Sequence, residues 1–251
     1  MGDFTDQVLA ILLLSLRIAP TLGFAQPFTL LRIPATVRLA LSIGLSAWIV
    51  SGNPDATWRA PFWDAGLPVA VISELFLGIA LALALQLAFA ALLTAGRAID
   101  IQAGFGLAVL VDPTTRAQMP LAGTLFAYAG AAIFFAIGGP EDLLAIWAAS
   151  VEKVPLGAAS LGGDPAAMIE YMGVVFLMAI GLAGVVLLVL FLLDLMIAFL
   201  SRTLPQMNVL LLGFQVKAIA TMAALPLALS FSGALFAQLM RTALETMPQL
   251  I

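Results

Sequence analysis

Four stretches of the chain carry no charge at all: residues 75–96, 117–140, 171–193 and 218–240, of 22, 24, 23 and 23 residues. A helix needs about 20 apolar residues to cross a bilayer core. Lipid offers the backbone no hydrogen-bond partner, so only a helix or a closed barrel crosses it. Leu, Ala, Phe and Met dominate the four runs, without the apolar–polar alternation of a barrel strand. Each run is therefore read as a helix. Two weaker segments precede them. Residues 7–24 contain Arg17 and Pro20, and residues 39–50 offer only 12 positions. Both read as shorter helices of a hairpin. The expected fold is an all-α integral membrane protein with about six hydrophobic helical segments, arranged as helical hairpins.

Composition says where the apolar surface must go. Hydrophobic residues make up 63% of the 251 and charged residues 10%, against about 45–50% and about 25% in a soluble domain. A soluble fold of this length has too little interior for that, so lipid or partner subunits must cover the excess. The 10 Lys and Arg are scattered and the net charge is -4, which excludes a nucleic-acid surface. The chain has no histidine, so a Ser-His-Asp triad, an HExxH zinc site and an imidazole relay are excluded. It has no cysteine, which removes thiol catalysis, iron–sulfur clusters and disulfides. Gly104-Phe105-Gly106 is not a phosphate loop, because no Lys-Ser/Thr follows it. The reading is non-enzymatic, with no cofactor and no metal.

The opening MGDFTDQ carries Asp3 and Asp6 and no positive charge. It reads as the start of a first helix rather than a cleaved leader. With that end outside, the inner loops hold Arg32, Arg38, Arg97, Arg116 and Arg202, and the outer segments hold Arg59, Lys153 and Arg241. The positive-inside rule leans this way. Trp58 and Trp63 lie in a Pro-rich loop that suits an interface belt equally with ordinary loop packing. Residues 138–165 read as an exposed loop containing one short amphipathic turn, DLLAIWAASVEKV.

Four ionisable residues fall within or beside apolar segments: Arg17, Glu74, Asp194 and Lys217. A charge at membrane depth costs about 2.5–3.5 kcal/mol on insertion scales. Such residues either line an ion or proton path or sit as pairs that fix helix register and subunit contacts; the second reading is favoured. Asp194 lies about ten residues before Leu204-Pro205 and Lys217 about twelve after it, so at ~1.5 Å per residue they reach similar depth. They are expected to face and neutralise each other. Glu74 has no sequence-local partner; Arg17 and another subunit both remain open. Arg97 and Asp100 are three apart, which suits a local helical pair.

The least ordinary stretch is 96–120, GRAIDIQAGFGLAVLVDPTTRAQMP. Gly104 and Gly106 free the backbone. Leu107, Val109, Leu110 and Val111 are apolar but belong to a run too short to span, and Asp112-Pro113 stops any helix. A re-entrant segment closing a pore and a plain helix connection with a hydrophobic contact fit equally well.

Along most of its length the chain resembles the FliR/SctT family, the R-type export-gate proteins of flagellar and virulence type III secretion systems. The resemblance is carried in order by RIAPTLGFAQPFTLLRIPATVRLALSIGL, ISELFLGIALAL, AGRAIDIQAGFGLAVLVDP and RTLPQMNVLLLGFQVK. Gly213-Phe214 looks flagellar, while Asp100-Ile-Gln102 looks closer to the other branch; the flagellar branch is favoured. The chain departs from the pattern at Gln215, where many relatives have proline. It departs also at Thr114-Thr115-Arg116, where many have a glycine-containing turn, and loosely over Ala25 to Thr29.

The resemblance implies a non-enzymatic subunit that completes a channel with P-type and Q-type (FliP/FliQ-like) subunits in the bacterial inner membrane, at the flagellar basal body. An FlhB-like switch protein, unfolded secretion substrates and lipid are the further partners implied; nucleic acid is not. Residues 1–170 would be P-like helical hairpins including the central loop 96–120, and 171–251 a Q-like C-terminal hairpin, within one membrane domain. Gly104, Phe105, Gly106, Leu107, Val109, Leu110, Val111, Asp112 and Pro113 would form a plug that keeps the channel closed until substrate passes. Pro205, Gln206 and Asn208 would turn the Q-like hairpin, with Lys217 near the cytoplasmic side. Glu74 would sit in the P-like part at a subunit contact. The competing reading is a proton- or ion-coupled transporter of a small solute, using Glu74 or Asp194 as its carboxylate. An intramembrane enzyme ranks last, because Asp100 and Asp112 lie in a loop.

Overall fold

A computed structural model describes residues 4–57, 66–105, 121–158, 165–203 and 209–250. Among these, all regular structure is helical. The helices are α1 (Phe4–Phe24), α2 (Ala35–Gly52), the single turn α3 (Pro54–Thr57), α4 (Leu67–Ala103), α5 (Leu121–Ala136), α6 (Gly139–Lys153), α7 (Pro165–Thr203), α8 (Val209–Phe231) and α9 (Gly233–Thr246). A 3-10 turn at Met247–Gln249 follows.

Five of these helices are long and apolar enough to cross a membrane, and a sixth crossing arises if α5 and α6 form one span bent by 68°. The expectation of about six segments therefore holds. Three details differ from it. The run 218–240 is not one helix. Its first part closes at Ser232, whose N–H donates to Ala228 O while its own carbonyl accepts from Phe236 N–H to open α9. The loop expected over 138–165 begins instead with 15 helical residues. That helix, α6, buries Leu143, Ile146, Trp147 and Val151, so its amphipathic pattern marks a core helix. Finally, α4 and α7 extend well past their uncharged runs, to 37 and 39 residues.

Two compact units divide the chain. The first comprises Met1–Ala88, Phe134–Gly173 and Met240–Ile251. Here α1 and α2 pack as a hairpin. Leu13, Leu14, Ile18, Ile49 and Trp147 are fully buried. At Gly78 of α4, a Cβ would stand 2.6 Å from the Arg17 carbonyl oxygen, so only glycine lets the α1 and α4 backbones meet this closely. Tyr171 of α7 donates to Ala84 O at 2.5 Å. Phe28 meets Phe134 and Phe135 edge-on, with centroids 6.3 and 6.4 Å apart.

The second unit comprises Phe89–Ile133 and Val174–Leu239. Its tightest crossing joins α4 to α5: a Cβ on Gly96 would lie 2.2 Å from the Gly123 backbone. Phe126 of α5 meets Phe236 of α9 edge-on at 5.7 Å. Gly213 of α8 faces Ile197 of α7, closing the last long hairpin.

Candidate functional site

The apolar interior holds two charge nodes, one in each unit. The first centres on Arg17, in the C-terminal half of α1. Its Nε donates to Glu74 Oε2 at 2.7 Å and its Nη2 to Glu74 Oε1 at 2.9 Å. Its Nη1 donates to Ser150 O at 2.9 Å and to Ser150 Oγ at 3.0 Å. Nη2 also donates to Val154 O at 3.1 Å. A guanidinium has five N–H donors, and these bonds use them all. Glu74 Oε1 accepts a further bond from Gly157 N–H at 2.8 Å. Both side chains are 0% exposed.

Each bond has a local reason. Ser150 and Val154 lie at the C-terminal end of α6, where a cation is favoured, and Ser150 O, which already accepts from Val154 N–H, takes Arg17 on its second lone pair. The Ser150 hydroxyl donates to Trp147 O, which leaves its oxygen free to accept from Arg17. The open choice for Glu74 thus resolves to Arg17. Both side chains are enclosed by their own chain.

The second node joins Asp194 of α7 to Lys217 of α8 as an ion pair. The two side chains face each other, as expected from their spacing about Leu204-Pro205. The node has a third member that sequence reasoning missed. Gln102, in the last turn of α4, donates from Nε2 to Asp194 Oδ2 at 2.7 Å. Lys217 Nζ donates to Gln102 O at 3.3 Å. Beside it, Gly104 has φ +86°, and a Cβ there would stand 2.7 Å from the Phe214 ring.

Asp100 departs from expectation. Its carboxylate does not turn to Arg97, which is exposed. It accepts instead from Ala122 N–H at 3.1 and 3.2 Å, at the start of α5. An anion at a helix N-terminus meets unpaired amides and the positive end of the helix dipole. Close packing at Gly96 brings that helix end within reach.

Of the residues read as a plug, Gly104 and Phe105 are described and half-buried. Gly106, Leu107, Val109, Leu110, Val111, Asp112 and Pro113 lie outside the described residues, as do Pro205, Gln206 and Asn208. The missed residues Ser150 and Gln102 left one signal each, an uncharged polar side chain inside an apolar helical pattern. A cavity of about 460 Å³ opens in the first unit, lined by Asp142, Arg241 and Glu245 among apolar side chains. It offers no nucleophile paired with a base. No group of three or more metal-binding side chains occurs among the described residues.

Long apolar helices, with interior charges paired or held at a helix end, define an all-α integral membrane protein. The model of the bacterial export proteins, family 1, matches residues 8–243, and the chain belongs to that family. Curated relatives match most of its length. The flagellar biosynthetic protein FliR of Escherichia coli (strain K12) is 27% identical over 229 residues, covering 89% of this chain and 87% of its own length. The protein of that name from Aquifex aeolicus (strain VF5) is 29% identical over 215 residues, covering 85% and 83%. That of Bacillus subtilis (strain 168) is 27% identical over 256 residues, covering 100% and 98%.

Proposed function

We propose that this chain is a non-enzymatic subunit of a flagellar protein-export gate in the bacterial inner membrane. The observation that carries the reading is the family match, which runs from residue 8 to residue 243 and takes in both charge nodes. The relatives' shared name supplies the flagellar context. On this reading residues 1–170 form P-like hairpins and 171–251 a Q-like hairpin. P-type and Q-type subunits complete the channel, and an FlhB-like switch protein docks on it. Residues 104–113 plug the channel until an unfolded substrate passes.

The transporter alternative is weaker for a stated reason. A coupling carboxylate must be available to an ion or proton. Both oxygens of Glu74 are taken by Arg17 and Gly157 with the side chain wholly buried, and Asp194, though partly exposed, is neutralised by Lys217 and bonded by Gln102.

Coexpression with P-type and Q-type subunits tests the proposal. The tagged chain is expected to bring both down in one detergent-stable complex. Deleting residues 104–113 is expected to raise potassium leakage through vesicles containing that complex. A chain that purifies alone and binds a small solute overturns the export reading; an unchanged leak overturns the plug.

A further inference from the structure

The second charge node lies at a particular place in the chain. Helix α4 ends at Ala103, and the segment read as the plug begins at Gly104. The last carbonyls of a helix have no partner within it. Lys217 supplies a donor to one of them, the Gln102 carbonyl, and places a cation where the helix dipole favours it. Asp194 neutralises that cation and takes the Gln102 amide. Gly104 then turns the chain out of the helix with its left-handed φ, and its Cα rests against the Phe214 ring too closely for any side chain. Electrostatic and steric contacts therefore fall on two positions at the helix end, 102 and 104. All of the groups that grip them belong to α7 and α8. The other stem of the loop is fixed separately, by Asp100 holding Ala122 N–H.

The two nodes differ in character. The Arg17–Glu74 pair is sealed, whereas the Lys217 and Asp194 side chains are 17% and 37% exposed. A partly exposed pair is worth less and exchanges partners more readily than a buried one. The sealed node suits permanent register; the open one suits a hold that can be released.

We infer that Asp194, Lys217 and Phe214 are positioning residues for the central loop, so that the last long hairpin sets where the loop starts. Displacing α7 and α8 then moves the root of the loop directly. The inference rests on the reading that residues 104–113 close the channel.

Gln102→Leu and Asp194→Asn test it in the assembled complex with P-type and Q-type subunits, in vesicles loaded with a potassium-sensitive dye. The Gln102 variant leaves both charges in place and removes only the amide donor. Complex yield is expected to match wild type, with at most a small fall in melting temperature. Leakage is expected to rise roughly tenfold, near the lower end of what a hydrogen bond to a charged group is worth. Asp194→Asn weakens the same hold from the charge side, by removing the partner of Lys217, so it is expected to leak as well, and the double variant at least as much as the leakier single. Wild-type leakage in Gln102→Leu, alongside a leaky 104–113 deletion, overturns the positioning role and leaves the export reading intact. Loss of the complex in Gln102→Leu makes the role structural and also overturns it. A deletion that does not leak removes the plug reading and this inference with it.

Discussion

Arg17 shows how a charge is kept in an apolar chain. Burying it is tolerable because all five of its donors are used and the Glu74 carboxylate is shared with a backbone amide. Breaking a buried pair from one side leaves the other charge uncompensated, at a cost of about 3–5 kcal/mol. Glu74→Leu should therefore lower the thermal midpoint of the purified protein sharply. Arg17→Met with Glu74→Leu should lose much less than the two single changes summed. Additive losses in that cycle would show that the pair is not coupled. The two nodes were unequally legible. Asp194 and Lys217 flank a short connection, so chain geometry alone sets their depths. Arg17 and Glu74 are separated by 57 positions. What aligns them is the backbone approach at Gly78, which depends on tertiary packing and has no local pattern.

At the scale of elements, apolar periodicity found the helices but not their breaks. Residues 218–240 look uniform because Ser232 and Gly233 sit among small and apolar neighbours. The break between α5 and α6 is better marked, by Gly138-Gly139-Pro140. The two glycines there are required for different reasons. Gly138 has φ +84° with only Glu141 Oε2 nearby, so its constraint is conformational. Gly139 has the Phe134 ring at 2.4–2.7 Å from where a Cβ would be, so its constraint is steric. Gly138→Ala should cost about 1–2 kcal/mol from backbone strain. Phe134→Leu should partly rescue Gly139→Ala and leave Gly138→Ala unrescued, read as protease resistance at the bend. Rescue of both would make the requirement purely one of space. The helix over 139–153 was misjudged as loop because its charged ends, Glu141, Asp142, Glu152 and Lys153, mask a buried stripe in the middle.

For the molecule as a whole, length is the telling quantity. At ~1.5 Å per residue α4 and α7 measure about 55 and 58 Å, against a hydrocarbon core of about 30 Å. Each must run far beyond one bilayer core. Helix α7 buries only 33% of its most apolar stretch within its own chain, and α2 and α8 only 22% each. Composition announced this surplus but not its location, since one chain cannot distinguish lipid from a neighbouring subunit. The bent pair α5–α6 decides the parity of crossings. If it makes one span, six spans return the C-terminus to the side of the N-terminus. The chain has no cysteine, so Thr5→Cys and Gln249→Cys each introduce a single label site. Both are expected to react with a membrane-impermeant maleimide from the same side. Labelling from opposite sides would mean that α5–α6 dips into the membrane and returns.

The sealed node also dictates a sequence of events in time. Arg17 leaves the ribosome long before its partners: Glu74 follows by 57 residues, Ser150 by 133 and Val154 by 137. At roughly 5–20 residues per second, the last of these trails Arg17 by many seconds. Until then the guanidinium lacks the α6 partners that complete its five bonds. The beginning of this protein is thus completed by its middle, and the bonds of Arg17 are all in place only after α6 has been made.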